Sequence, residues 1–271
     1  MSSRLPVRKT YKLFIGGAFV RSESGRYDRS EDFNIPRASR KDVRDGVAAA
    51  RKASTPWAAR TAYNRGQILY RFAEALESRA ADIGAERSEV EASIDVLVHY
   101  AGWTDKLQPV LGGINPVAAP FLSFSVPEPT GVVGVVAPDS PPLLGLVAEL
   151  APALAAGNTV VALLSGERPL PGLDLAEVMG IADVPGGVVN LLSGRRAELA
   201  PVLAGHHALD AIVDASGDSA LAAEIDKLAA ESVTRVRHTT AAGSYADATA
   251  DPLSRLEALT ELKTAWHPVG A

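Results

Sequence analysis

Side chains that could act as nucleophiles, bases or metal ligands are sparse in this sequence. It contains no cysteine, which excludes disulfides, thiolate metal sites and thiol catalysis. The five histidines have no paired spacing of the kind that holds a metal, and the sequence has neither a Ser/His/Asp arrangement nor a nucleotide P-loop. His238 has no nucleophile or orienting carboxylate in view, so we expect it to be a surface histidine. We therefore predict no catalytic residue and no metal site.

The polar pair Asp139 and Ser140 directly follows a predicted interior strand. The run 131–136 is apolar and β-branched on both faces, as in a buried parallel strand. Asp139 and Ser140 are typical helix N-caps, and the apolar residues of 143–155 predict a buried helix that ends at Gly157. A second β-branched run follows at 159–164. Strand, helix and strand with short connections predict a right-handed βαβ unit.

The rest of the chain repeats this alternation and predicts an α/β fold, a doubly wound and mostly parallel sheet with helices on both faces. Before the central unit the pattern predicts a Gly-Gly hairpin at 11–20, a helix at 41–52 that Ser39 caps, a long helix at 63–83, and core packing for the aromatics Tyr100 and Trp103. The three runs expected to be neighbours in one sheet are Gly131–Val136, Thr159–Leu163 and Val188–Leu192.

Composition sets further bounds. The chain has 271 residues, 47% of them apolar and 22% charged, with a formal net charge of −5. This is the balance of an ordinary globular protein with ample core, and it offers no basic footprint for nucleic acid or an anionic membrane. The longest apolar tract is interrupted by Glu149 and Pro152, which predicts core rather than a membrane span. The first residues lack the apolar segment of a secretory signal, so we expect a cytoplasmic protein.

Three ordered blocks stand out in the sequence: residues 128–134 (EPTGVVG), 150–161 (LAPALAAGNTVV) and 185–190 (PGGVVN). Together they resemble the coenzyme-domain signatures of the aldehyde dehydrogenase superfamily. The heptapeptide 100–106 and the opening at 11–20 are similar to that family too. The resemblance implies the Rossmann-like sheet of the family's NAD-binding domain, with a small β-extension used for oligomerisation.

The resemblance also locates cofactor positions, and the residues there depart from the family pattern. Pro138 is kept, but Ser140 stands where the family has the asparagine that stabilises an oxyanion. Leu163 replaces a ribose-binding lysine, and Glu167 is displaced by one residue from the expected glutamate. Ser216 stands in the degenerate phosphate-contacting turn, where it could still cap a helix while Gly217 supplies left-handed geometry.

Two acidic residues in the phosphate-facing turns also depart from the family pattern. Asp139 and Asp214 place negative charge where the pyrophosphate would lie, and at near 5 Å each would cost about 1 kcal/mol or more. The general-base glutamate would follow Val236, where the chain has Arg237 and His238. The family's catalytic cysteine is missing. We therefore expect no bound cofactor, with weak binding of NAD or NADP as the alternative.

Residues 251–266 resemble the family's extreme C-terminus, so the chain is expected to keep both ends of the family and to omit the catalytic domain between them. The predicted organisation is 1–120 for the N-terminal hairpin and helices, 121–133 for an oligomerisation strand, 131–237 for the Rossmann-like core, 238–250 for a linker with little to bury, and 251–271 for the C-terminal helix and strand. The hairpin that normally precedes the first helix is expected to be trimmed.

Oligomer contacts are the functional residues that the sequence favours most. The stretches 121–126 and 262–268 have alternating or β-branched character and no obvious third strand beside them. Unpaired strand edges tend to pair with another chain. The expected contact residues are Phe121, Phe124, Val126, Leu262, Thr264 and Trp266. The predicted function is that of a catalytically inactive subunit that associates with a full-length aldehyde dehydrogenase or with itself. The alternatives are a weak NAD(P)-binding oxidoreductase or regulator, a homodimer without a ligand, and a Trp266 that folds back on its own body.

Overall fold

A computed structural model describes residues 7–29, 32–239, 245 and 247–269. The helices are α1 (Arg40–Ala58), α2 (Ala62–Ser78), α3 (Arg87–Ala101), α4 (Leu107–Leu111), α5 (Pro142–Ala156), α6 (Leu170–Met179), α7 (Arg196–Ala204), α8 (Ser219–Glu231) and α9 (Pro252–Glu257). The strands are β1 (Lys9–Thr10), β2 (Leu13–Ile15), β3 (Ala18–Val20), β4 (Tyr27–Arg29), β5 (Phe33–Pro36), β6 (Gly113–Asn115), β7 (Phe121–Pro129), β8 (Val132–Val136), β9 (Thr159–Leu163), β10 (Val189–Leu192), β11 (Ala211–Asp214), β12 (Arg235–His238) and β13 (Thr260–Pro268).

The body is a seven-stranded sheet in the order β12-β11-β8-β9-β10-β2-β3. The strands β12, β11, β8, β9 and β10 are parallel to one another. The hairpin β2–β3 is added beside β10, and β2 pairs antiparallel with β10. The three predicted runs are therefore neighbours in one sheet, as expected. The doubly wound α/β class and the Gly-Gly hairpin are confirmed.

Both faces of the central strands are buried, which explains their unbroken apolar pattern. Val133 and Val135 of β8 pack in a cluster with α2, α3, α5 and α6. Val132 and Val136 point the other way, into a second cluster with α1 and α7. The period of two along the strand thus serves two helical layers.

Two predicted helix boundaries were wrong. Helix α1 begins with the expected Ser39 cap, reinforced by Asp42 in a capping box, but it runs through Pro56 to Ala58 and includes the buried Trp57. Helix α2 stops at Ser78, and a separate 3₁₀ turn follows at Ala80–Asp82. Burial of Trp57 outweighs the local helix-breaking preference of proline, which is a tertiary effect.

The expected trimming of the N-terminal edge was also wrong. Strand β4 pairs antiparallel with β5, and β1 joins β5 in parallel, which gives a three-stranded sheet. The β4 sequence, Tyr-Asp-Arg, is too short and too charged to show the alternation by which strands are recognised.

A second three-stranded sheet has the order β13-β7-β6. Strands β7 and β13 pair antiparallel over their whole length, from Thr260 opposite Pro129 to Pro268 opposite Phe121. The expectation that this pair lacks a third strand was wrong, because β6 pairs with the outer side of β7. Three residues flanked by glycine and proline gave no strand pattern.

The connection to the C-terminal helix buries more than was predicted. Tyr245 and Ala248 lie in the main core, together with Leu256 and Leu259 beyond them. The core therefore extends past residue 237, the predicted end of the Rossmann-like core, and includes Tyr245 and Ala248 of the segment that was expected to bury little. Part of the predicted linker, residues 240–244 and 246, and the last two residues of the predicted C-terminal unit lie outside the described residues.

Among the residues that the structure describes, no helix combines the length and apolarity needed to cross a bilayer.

Candidate functional site

The carboxyl edge of the parallel sheet gathers the sequence-predicted cofactor positions. The chain leaves β8 in one direction through α5 to β9 and later returns on the other side of β8 as β11. Open α/β sheets bind ligands at such a switch point, beyond the carboxyl ends of the strands. Pro138 and Ser140 follow β8, Leu163 ends β9, and Ser216 follows β11.

The turn after β8 does not cap its helix as predicted. Helix α5 begins at Pro142, and neither Asp139 nor Ser140 makes a capping bond. The Asp139 carboxylate instead accepts hydrogen bonds from the Ser165 hydroxyl (2.7 Å), the Gly166 N–H (2.9 Å) and the Glu167 N–H (3.2 Å). It also forms an ion pair with Arg196. Partial burial would raise the pKa of Asp139, but the Ser165 hydrogen bond and the Arg196 charge hold it below its ordinary value.

The N-terminus of α5 is filled by a carboxylate from another helix. Glu89, in the first turn of α3, accepts hydrogen bonds on Oε1 from the N–H groups of Leu143 (2.6 Å) and Leu144 (3.0 Å). These are the free N–H donors that make a helix start attractive to anions. Sequence reasoning missed Glu89 because its target lies more than fifty residues away along the chain.

The end of β9 offers no polar side chain to a ribose. Leu163 is 1% exposed and packs in the cluster beneath α1 and α7. Glu167, the displaced carboxylate, is exposed as predicted. Its backbone N–H is one of the donors that Asp139 already engages.

The turn after β11 is likewise closed by its own side chains. Asp214 is buried and accepts a hydrogen bond from the Ser216 N–H at 3.0 Å. Gly217 has φ +72°, as expected for a left-handed turn residue. Ser216 does not cap α8; Asp218 does, by accepting from the N–H groups of Ala220 (2.9 Å) and Leu221 (3.2 Å).

His238 is exposed at the surface, as expected, but the expectation that it lacks an orienting carboxylate was wrong. Its Nδ1 lies 3.2 Å from the Asp214 carboxylate, and its Nε2 lies 2.9 Å from Asp226 of α8. Partial burial would lower the pKa of His238, but the Asp226 and Asp214 carboxylates raise it above the ordinary value of 6.5. The two carboxylates come from β11 and from α8, and only the fold brings them to the ring.

A buried carboxylate in α5 joins the two parts of the chain that flank the short connection. Glu149 is 0% exposed. Its oxygens accept from Arg237 (2.8 Å) and Thr239 (3.1 Å) on one side of the connection. From the other side, Tyr245 (3.0 Å) and Arg255 (3.0 Å) donate to it. The sequence did offer one signal for this cluster: Glu149 is the single charged residue in an otherwise apolar helix. A charge that is buried with such a helix needs partners.

Taken together, these contacts leave the carboxyl edge internally satisfied. Carboxylates of Glu89, Asp139 and Asp218 occupy backbone N–H donors in its three turns. The two acidic replacements are also not uncompensated charges, since Asp139 is paired with Arg196 and Asp214 with His238. The electrostatic repulsion that we expected between these carboxylates and a pyrophosphate is therefore reduced. A pyrophosphate would instead have to compete with the carboxylates for the backbone N–H donors. The described residues contain no cluster of His, Cys, Asp and Glu suited to a metal.

The predicted oligomer contacts lie on the second sheet but do not share one face. The register of β7 and β13 places Phe121, Leu262, Thr264 and Trp266 on one side, and Phe124 and Val126 on the other. Leu262 is 57% and Trp266 is 59% exposed. The Trp266 ring packs edge-on against Phe121, with ring centroids 6.0 Å apart. Trp266 therefore contacts its own sheet rather than folding back onto the α/β body.

Comparison with known proteins identifies the family of the chain. The model of the aldehyde dehydrogenase family matches residues 26–246. Mouse cytosolic 10-formyltetrahydrofolate dehydrogenase is 37% identical over 215 residues, which are 70% of this chain and 24% of that protein. Omega-crystallin of Enteroctopus dofleini is 31% identical over 214 residues, which are 71% of this chain and 42% of that protein.

Among solved structures, the NAD⁺ complex of the aldehyde dehydrogenase from Bacillus cereus superposes with a TM-score of 0.78 at 28% identity. The match covers 85% of this chain and 50% of that one. The chain thus spans half or less of the length of these relatives.

Proposed function

Because the chain belongs to the aldehyde dehydrogenase family, we propose that it is a catalytically inactive member that acts by association, as a structural or regulatory subunit. The observation that carries this proposal is the carboxyl edge of the sheet, where Glu89, Asp139 and Asp218 fill the backbone donors of the three turns. A ligand that needs these donors must first displace charged groups of the chain itself.

The chemical groups for aldehyde oxidation are missing as well. The sequence has no cysteine, and Arg237 and His238 follow Val236 where the family resemblance implies a general base. The residues at the expected cofactor positions do not fit a dinucleotide: Leu163 is buried and apolar, and the Asp139 and Asp218 carboxylates occupy turn N–H groups. On this proposal the chain itself carries out no step of aldehyde oxidation.

The associating surface is the β13-β7-β6 sheet. Its apolar side chains Leu262 and Trp266 are more than half exposed, and large apolar anchors of this kind are enriched in interface cores. A full-length aldehyde dehydrogenase is the proposed partner, with a second copy of this chain as the other. The cytoplasm is the proposed compartment, in keeping with a relative that is named as cytosolic.

Calorimetric titration of the purified chain with NAD and with NADP tests the loss of cofactor binding. Each charge-assisted contact that is lost weakens binding by about 1.5–3 kcal/mol, roughly ten- to hundredfold in affinity. We expect dissociation constants no tighter than about millimolar, with a full-length aldehyde dehydrogenase as the positive control. A micromolar constant for either nucleotide would overturn the proposal of a subunit without a cofactor.

The second candidate function is a nucleotide-binding regulator. It is favoured by one observation, the left-handed Gly217 in the turn after β11, which keeps the backbone shape that the family resemblance implies for a phosphate-contacting turn. The same titration decides between the two functions. Purification of the chain from its native cell, with identification of the proteins bound to it, then tests the proposed partner.

A further inference from the structure

Strand β13 forms a free edge of its sheet. It pairs with β7 on one side, and no described strand pairs with its other side. The Val269 N–H donates to Pro120 and the Thr130 N–H donates to Leu259, just beyond either end of the ladder. In an antiparallel pair, hydrogen-bonded residues alternate. The odd-numbered residues of β13 therefore direct their N–H and C=O groups toward β7, and the even-numbered residues direct theirs outward.

The outward-directed backbone groups form a short and well-defined set. Leu262, Thr264 and Trp266 present both an N–H and a C=O, and no hydrogen bond to these groups comes from the described residues. Thr260 does not belong to this set, because its carbonyl already accepts a hydrogen bond from the Arg235 guanidinium at 3.1 Å. Pro268 does not belong to it either, because proline has no N–H.

This set is symmetric about Thr264, and we propose that two copies of the chain pair antiparallel through it, about a twofold axis at Thr264. The inference rests on the proposed associative function and names one partner and one register for it. In this register Leu262 faces Trp266 of the second copy, Thr264 faces Thr264, and Trp266 faces Leu262, each pair exchanging two backbone hydrogen bonds. A shift of the axis by one residue brings Thr260 or Pro268 into the ladder and loses donors or acceptors.

The side chains agree with the same register. On one face of the joined sheet, Leu262 lies beside Trp266 of the second copy, so that their exposed apolar surfaces cover each other. On the opposite face Glu261 meets His267, and Lys263 meets Ala265. No like charges are opposed, and self-complementarity of this kind is what a twofold interface requires.

The absence of cysteine makes the register directly testable by single-cysteine cross-linking. In the proposed dimer, Thr264→Cys places two cysteines on facing residues whose Cα atoms are about 5.5 Å apart, within the range that a disulfide spans. Leu262→Cys is the matched control, because each cysteine is then four residues from its copy, roughly 14 Å along the strand. We expect Thr264→Cys to form a disulfide dimer at least about tenfold faster than Leu262→Cys. Equal rates, or faster cross-linking of the control, would overturn the proposed register.

A proline on the free edge tests the pairing without a disulfide. Thr264→Pro removes an outward N–H and leaves the β7 ladder its own bonds, whereas Thr264→Val keeps the N–H and loses only the hydroxyl bond to Ser125. Light scattering should show the dimer dissociation constant of Thr264→Pro raised by about 100-fold, with Thr264→Val close to the parent. If the parent chain is a monomer at all concentrations, or if Thr264→Pro dimerises as well as Thr264→Val, the self-pairing is wrong. Binding to an added full-length aldehyde dehydrogenase in that case would leave the proposed function standing.

Discussion

The substitution Arg255→Met tests whether Glu149 holds Tyr245 and helix α9 to the α/β body. Arg255 lies in α9, and its guanidinium donates to the Glu149 carboxylate (3.0 Å) and to the Ala148 carbonyl (3.2 Å). Its side chain is 8% exposed and that of Glu149 is 0% exposed. Methionine keeps much of the apolar stem and removes the charge.

The expected cost follows from what the substitution leaves behind. Removing one partner of a buried ion pair costs about 3–5 kcal/mol when the remaining charge has no other partner. Glu149 keeps Arg237 at 2.8 Å together with the Tyr245 hydroxyl at 3.0 Å, so we expect the lower part of that range, about 3 kcal/mol in the free energy of unfolding.

Urea unfolding followed by tryptophan fluorescence measures this change. The matched control is Arg195→Met, which removes a largely exposed guanidinium with one distant pair to Glu198 and should change stability by less than about 0.5 kcal/mol. Arg255→Met should also loosen helix α9, seen as faster hydrogen exchange in residues 252–259. If the two substitutions have the same effect on unfolding, Glu149 does not hold α9 to the body.

Three further substitutions probe contacts of the same fold. His238→Gln should lower the free energy of unfolding at acidic pH. Because the folded pKa of His238 is raised above 6.5, its stabilisation is full below that pH and is lost as pH rises through the folded pKa. In urea titrations the free energies of unfolding of the parent and the variant should therefore converge at alkaline pH, and a difference that does not change with pH would contradict this. Asn158→Ala removes hydrogen bonds to Gly131 (2.8 Å) and Leu259 (2.9 Å). The Leu259 carbonyl keeps the Thr130 N–H, but the buried Gly131 N–H loses its acceptor, so thermal unfolding should show a loss of about 1–3 kcal/mol; a loss under about 0.5 kcal/mol would contradict this. Glu89→Ala uncovers two N–H groups of α5 and should cost about 1–2 kcal/mol in the same thermal melt. An unchanged melt would show that the Glu89 carboxylate does not stabilise the start of α5.

The elements that were predictable from the sequence are those whose pattern is local. The run Gly131–Val136, the cap at Ser39 and the left-handed Gly157 each carry their signal within a few residues. Their periodicity and turn chemistry are enough to place a strand, a helix start and a helix end. The same locality explains why the βαβ unit and its neighbours in the sheet were predicted correctly.

The site was less predictable because its contacts are long-range. The local pattern predicts a helix cap at Asp139, but the fold offers this carboxylate Arg196 and the turn after β9. His238 gains Asp214 and Asp226 only when β11, β12 and α8 come together. Side-chain partners of this kind have no sequence period, so local pattern gives no information on them.

Register was the other quantity that the sequence left open. Alternation identified β7 and β13 as strands, yet it could not say which residues would share a face. The observed pairing of Thr264 with Ser125 and of Ala265 with Phe124 divides the predicted contacts between two surfaces. A shift of one residue would have reversed every assignment.

Light scattering of the intact chain and of a chain ending at Leu262 tests the central claim, that this protein works by association through its second sheet. The α/β body should stay folded in the shortened chain, because Leu256 and Leu259 of its core are retained, and circular dichroism checks this. We predict that the intact chain, alone or with a full-length aldehyde dehydrogenase, forms an assembly larger than a monomer and that the shortened chain is monomeric under the same conditions. A shortened chain that keeps the size of the intact assembly, or an intact chain that stays monomeric with and without the dehydrogenase, would contradict the account.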